Sequence, residues 1–145
     1  MIHYFDSSAL IKRYVIEDGS NDVSDLIEQS GMVGSSLLTQ VEMAAALTKS
    51  VRLKILENQE AENAWQDFLE HWPSFTRLAV TPVLAERAAR LTWKLSLRGY
   101  DAAHLAAVLI WQETIETQVT LATYDRELWT AGKEAGLAVW PERLG

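Results

Sequence analysis

The sequence predicts an α/β fold built around a mostly parallel sheet. Three observations carry that expectation. Short β-prone apolar runs alternate with longer segments of helical periodicity along the whole chain. The 145 residues contain no internal repeat, linker or low-complexity tract, so residues 1–145 read as one domain. Hydrophobic residues make up 48% and charged residues 23%, a composition that folds rather than stays disordered.

The elements follow in order. Ile2 to Phe5 is a β-prone run that stops at Asp6-Ser7-Ser8, and Ala9 to Val15 has helical composition. A strand therefore turns directly into a helix at Asp6. Glu17 to Asn21 is loop chemistry, after which Val23, Leu26 and Ile27 give a helix its apolar stripe, ending before Gly31. Met32 to Ser36 is a short strand. From Leu37 to about Leu53 the positions Leu38, Val41, Ala45 and Thr48 recur at helical spacing. Glu57 to Trp72 is a more acidic helix closed by Pro73, and Phe75 to Val80 a strand. Thr81-Pro82 starts a helix with proline at its first position, running to about Leu97 before Gly99. Asp101 opens a very apolar helix through Trp111. Val119 to Thr123 is a strand, Asp125 begins a helix that ends near Gly136, and Leu137 to Trp140 is a last edge strand.

Composition excludes several chemistries. With no cysteine there are no disulfides, thiolate metal ligands or cysteine nucleophiles, which suits a reducing cytoplasm. The amino-terminal strand leaves no room for a leader peptide. No apolar run approaches the roughly 18 residues of a membrane span, so no membrane role is expected. Twenty acids against 13 bases give a formal charge of −7, unfavourable for nonspecific polyanion binding unless bases gather or metal masks the acids.

Most acids fall on helix faces that water would cover. Four do not. Asp6 and Asp125 each follow a predicted strand and open a helix, and in a parallel sheet those strand ends line the ligand crevice. Asp101 opens the apolar helix, and Glu42 is the only charge among the eleven residues Leu37 to Leu47. Each has a structural explanation: aspartate is a favoured helix cap, and Thr39-Gln-Val-Glu42 matches a capping box. The alternative is a shared site. Two carboxylates about 4 Å apart repel by about 4 kcal/mol at an effective dielectric near 20, so a cluster needs protons or a cation. Hard oxygen ligands without thiolate select Mg²⁺ or Mn²⁺. Such ions activate water and neutralise a phosphodiester during displacement, which points to phosphoryl chemistry.

At these acids the sequence resembles the PIN-domain ribonucleases, and among them the VapC toxins of toxin–antitoxin pairs. The matching segments are Phe5-Asp6-Ser7-Ser8-Ala9-Leu10-Ile11-Lys12, Ser36-Leu37-Leu38-Thr39-Gln40-Val41-Glu42, Tyr100-Asp101-Ala102-Ala103-His104-Leu105-Ala106-Ala107 and Leu121-Ala122-Thr123-Tyr124-Asp125-Arg126-Glu127-Leu128. Their order, spacing and the chain length all agree. The resemblance implies a three-layer α/β/α sandwich and Mg²⁺- or Mn²⁺-dependent endonucleolytic cleavage of RNA. It implies that Asp6, Glu42, Asp101 and Asp125 are catalytic and hold metal directly or through water. Ser8 and Thr123 match supporting hydroxyls. It also implies homodimers and inhibition by an antitoxin from a separate chain.

Other residues keep two readings. His104, three residues after Asp101, is either a packed histidine or a hydrogen-bonding neighbour of the acids. Arg87, Arg90, Lys94 and Arg98 form a stripe that tracks an RNA backbone or simply faces water, and Arg126 reaches a phosphate or a nearby carboxylate. We take Arg126, Arg98 and Lys94 as candidate RNA contacts. Trp65, Trp72, Trp93 and Trp111 are assigned to core or subunit packing. Two other functional classes stay open. One is a metal-dependent nuclease or phosphatase acting on DNA or small phosphates; the other is a catalytically inactive partner-binding domain.

Overall fold

The computed structural model describes residues 1–145. Five strands, β1 (Ile2–Phe5), β2 (Met32–Ser36), β3 (Thr76–Leu78), β4 (Val119–Ala122) and β5 (Ala138–Trp140), form one sheet. Their order is β3-β2-β1-β4-β5, and every neighbouring pair is parallel. The chain therefore steps outward from β1 through β2 to β3. It then crosses back to lay β4 on the other side of β1. The reversal creates a switch point between β1 and β4, where open parallel sheets bind ligands beyond the carboxyl ends of their strands.

Seven helices cover the two faces: α1 (Ser7–Leu10), α2 (Ser20–Gln29), α3 (Leu37–Arg52), α4 (Asn58–His71), α5 (Pro82–Leu95), α6 (Gly99–Ile115) and α7 (Arg126–Glu134). Alternation along β1 decides which core each side chain joins. Tyr4 packs with Leu121 and with buried residues of α5, α6 and α7, among them Leu84, Leu105, Val108 and Leu128. Phe5 points the opposite way and joins Leu10, Val23, Met43, Phe68 and Trp72 from α1 to α4 and the turn after it. The result is a three-layer α/β/α sandwich. The central strands are buried on both faces, which explains why they read as continuous apolar runs. No helix is long and apolar enough to cross a membrane.

Local chemistry explains the helix boundaries. Thr81 caps α5 by accepting from the Leu84 N–H, with Pro82 following at the first position. Glu57 and Glu60 form a reciprocal capping box at the start of α4.

Several sequence expectations change. The helix after Asp6 is a single α-turn followed by a 3₁₀ turn over Ile11–Arg13, and β3 is shorter than the run from Phe75 to Val80. The inward stripe of α3 is Thr39, Met43 and Leu47; Val41 is 68% exposed, and Ala45 and Thr48 also face outward. The phase is set from the helix's first turn. Ser36 caps it by accepting from the Leu38 N–H, and the buried Ser35 hydroxyl donates to Thr39. That disposes of the Thr39–Glu42 capping box. Asp101 does not open α6, which starts two residues earlier with Arg98 at the cap position. The basic stripe also breaks up. Ser96 ends α5 in a left-handed conformation (φ 55°), so Arg98 leaves the line of Arg87, Arg90 and Lys94. Trp72 and Trp111 are buried and Trp65 packs on Phe68, whereas Trp93 is 90% exposed and no core in the chain accounts for it.

Candidate active site

Asp6 stands where β1 ends. Its extended backbone makes it the cap of α1, with Oδ1 accepting from the Ala9 N–H at 3.1 Å. The Ser8 hydroxyl lies 2.8 Å from Oδ1 and 2.9 Å from Oδ2, and the Thr123 hydroxyl donates to Oδ2 at 2.7 Å. Thr123 Oγ1 in turn accepts from the Asp125 N–H, and Ser8 Oγ from the Tyr124 N–H. The two loops that leave β1 and β4 are thus cross-linked by side chains over the switch point. Burial pushes the Asp6 carboxyl up from its usual range, against the opposing pull of His104, Thr123, Ser8 and the Ala9 amide. Capping and site membership are compatible for Asp6, because each oxygen has more than one lone pair.

Asp125 repeats the arrangement one strand over. It caps α7 through Oδ1 and the Leu128 N–H, leaving Oδ2 for Arg98 at 2.7 Å. Asp101 lies in the first turn of α6, is buried, and accepts at Oδ2 from Arg98 Nε (3.1 Å). Burial raises its carboxyl, the Asp125 charge raises it further, and Asp6 adds to this, while Arg98 acts in the opposite direction. Asp101 therefore lies within the field of both Asp125 and Asp6.

Glu42 reaches the same region from α3. Its Oε1 lies 2.7 Å from Nε2 of the buried His104, whose Nδ1 lies 2.6 Å from the Tyr4 hydroxyl. An ionised carboxylate only accepts, so Nε2 carries the proton in either charge state of the ring. Burial acts to lower the His104 pKa, but the Glu42 hydrogen bond and the charges of Asp6, Glu42 and Asp101 outweigh it and hold the ring above its ordinary value. Both readings of His104 hold together: it is packed, and it bonds to an acid. Tyr4 is the residue that sequence reasoning missed. Its position two before Asp6 on a strand, hence on the same side, was the available signal.

The candidate RNA contacts divide. Lys94 and Arg126 are exposed, and Arg98 is committed to Asp101 and Asp125. Arg87 pairs with Glu113 and Arg90 with Glu86.

No three histidine or carboxylate side chains stand ready, as they are, to hold one metal ion. The donor chemistry nevertheless suits a divalent cation. The potential ligands are carboxylate oxygens, and burial raises the pKa values of Asp6 and Asp101, so a cation beside them would offset the cost of ionising them. Asp101→Asn tests this in the metal-free protein. A folded-state pKa above the ordinary value means that Asp101 costs stability once it ionises. The penalty is absent below about pH 4 and grows as pH rises through the raised pKa. The variant is expected to melt a few degrees above the wild type at pH 7 and level with it near pH 4, by thermal denaturation in chelator. A variant less stable at pH 7 would contradict the shared charge.

Comparison with known proteins bears on the family and fold of the chain as a whole. The family described as PIN domain matches residues 3–133. Ribonuclease VapC45 of Mycobacterium tuberculosis (strain CDC 1551 / Oshkosh) is 33% identical over 141 residues, covering 97% of this chain and 96% of its own length. Among solved structures, PAE2754 from Pyrobaculum aerophilum superposes with a TM-score of 0.66 at 24% identity, over 96% of this chain and 89% of the other. A toxin–antitoxin complex from Klebsiella pneumoniae contains a chain with a TM-score of 0.57 at 18% identity, covering 81% and 83%.

Proposed function

Since the chain belongs to the PIN-domain family, we propose that it is a VapC-type ribonuclease, the toxin of a toxin–antitoxin pair, acting on RNA as a metal-dependent endonuclease. The observation that carries the reading is the meeting of Asp6 and Asp125 at the switch point, with buried Asp101 sensing both charges and Glu42 brought in by His104. Asp6, Asp101, Asp125 and Glu42 are the residues that would hold a divalent ion, Mg²⁺ or Mn²⁺. Such an ion, when bound, supplies charge neutralisation on a phosphodiester and activation of a water.

The rest falls to the chain's own groups. Ser8 and Thr123 fix both Asp6 oxygens, so the carboxylate meets its ligand without searching rotamers. His104 does the same for Glu42, and Tyr4 fixes His104. Arg126, next in the chain to Asp125, borders a groove between the turn after α5 and α7 and offers a cation to the RNA backbone; Lys94 adds another. Metal bound at four acids would also offset much of the −7 formal charge that otherwise repels RNA.

The partner reading has its own support. Val83 and Trp93 are exposed apolar side chains on α5, at 70% and 90%, and suit a second copy of the chain in a homodimer. An antitoxin from a separate chain completes the set, and the protein acts in the cytoplasm as a single domain. The test is purified protein with total RNA. Fragmentation is expected in Mg²⁺ or Mn²⁺ and arrest in EDTA. RNA left intact in both metals, together with normal growth when the protein is expressed, would overturn the proposal.

A further inference from the structure

We infer that Arg98 is a resident counter-cation of the acidic site: its guanidinium and a divalent metal ion are alternative occupants of the same carboxylate oxygens. The inference rests on the metal-site reading above and goes beyond it in assigning a built-in competitor.

Position comes first. Arg98 follows the left-handed Ser96 that ends α5 and occupies the cap position of α6 with an extended backbone (φ −65°, ψ 152°). Its side chain makes no cap hydrogen bond and turns instead into the acids. Nη2 lies 3.0 Å from Asp101 Oδ2 and 2.7 Å from Asp125 Oδ2, and Nε lies 3.1 Å from Asp101 Oδ2. One planar group therefore bridges acids from two elements, with Nε adding a second donor to Asp101 that a lysine would lack. No other lysine or arginine pairs with Asp6, Glu42, Asp101 or Asp125.

The bridged atoms are the second element. Asp125 Oδ1 is taken by the Leu128 amide, so Oδ2 is the oxygen that points into the site, and Arg98 holds it. A divalent ion held by Asp101 and Asp125 would draw on the same carboxylate oxygens that the guanidinium now occupies. Both cannot occupy the same face.

The third element is the asymmetry of burial. Arg98 is 51% exposed, whereas Asp101 is buried and Asp125 mostly so. The acids are fixed and the base is free to leave without opening the core. At the rim the same side chain also faces Glu127, with Oε2 3.5 Å from Nε, and the Tyr100 ring, whose centroid lies 5.1 Å from the guanidinium carbon. Arg98 thus stabilises the metal-free acids and raises the concentration of metal needed to fill the site.

Competition of this kind multiplies apparent affinity by the fraction of molecules with the guanidinium away. If that fraction is about one in ten, removing the side chain strengthens binding about tenfold. The test is calorimetric Mn²⁺ binding to wild type, Arg98→Gln, Arg98→Lys and Asp101→Asn, each checked for folding by circular dichroism. Arg98→Gln is expected to bind about tenfold more tightly, Arg98→Lys to fall between it and wild type, and Asp101→Asn to lose binding. In the wild type, the Arg98 Nε–Hε resonance is expected to shift as Mg²⁺ saturates the site. Wild-type binding with unchanged or weaker affinity in Arg98→Gln, or an Nε–Hε signal unmoved at saturation, would overturn the inference while sparing the metal site. Failure of both wild type and Arg98→Gln to bind Mn²⁺ would remove the metal-site reading and the inference with it.

Discussion

Replacing Asp6 with asparagine is expected to lower RNA cleavage by about three orders of magnitude or more while leaving the fold in place. Asp6 is the carboxylate at the centre of the arrangement. It sits at the end of the middle strand, both its oxygens are oriented by hydroxyls, and Asp101 senses its charge from α6. The variant keeps an Oδ1 that can cap the Ala9 amide, and asparagine is as good a cap as aspartate. The Ser8 and Thr123 hydroxyls are rotors and can meet the new amide as acceptors. Burial raises the Asp6 pKa, so removing its charge relieves a cost rather than creating one. Loss of cleavage with an unchanged or raised melting temperature is therefore the expected pair of results. Residual cleavage within tenfold of the wild type would sink the assignment of Asp6.

Gly34→Ala should be the most damaging small substitution in the sheet. Gly34 lies opposite Tyr4 in the β1–β2 register and faces the buried Trp111 of α6. A Cβ there would stand 2.5 Å from two atoms of the Trp111 ring and 3.2 Å from the Thr76 carbonyl oxygen of β3. Neither neighbour is the loose end of a flexible chain. The indole is packed within the core and the carbonyl belongs to a strand, so α6 must shift or the sheet must bend. Overpacking of that kind costs about 3 kcal/mol, or a fall of about 10 °C in Tm for a chain this size. Adding Trp111→Leu to Gly34→Ala should recover part of the loss by making room. A Gly34→Ala variant that melts within two or so degrees of the wild type would show that the helix yields easily.

How much of this was legible beforehand varies with the physics involved. The order of strands and helices follows from local pattern, and it holds from Ile2 to Trp140 with modest changes at the ends. Asp6 and Asp125 were visible because a strand-to-helix junction is a local event. The face of α3 was not. Val41 is as apolar as Met43, and only the bonds from Ser36 and Ser35 at its first turn, with the packing of Met43, decide which one faces inward. The helical spacing of the four basic residues places Arg98 in one stripe; one left-handed residue, Ser96, ends the helix and sends Arg98 toward the acids. Tyr4 is not singled out by the sequence, since its hydrogen bond to His104 spans 100 positions in the chain. Local elements were readable, then, and contacts across the sheet were not.

Mn²⁺ binding by wild type and Asp6→Asn, followed by electron paramagnetic resonance, decides whether Asp6 and its neighbouring acids make one site for a divalent cation. Saturable binding is expected of the wild type, with that binding lost in the variant at the same concentrations. Equal binding by the two proteins would rule out a shared site.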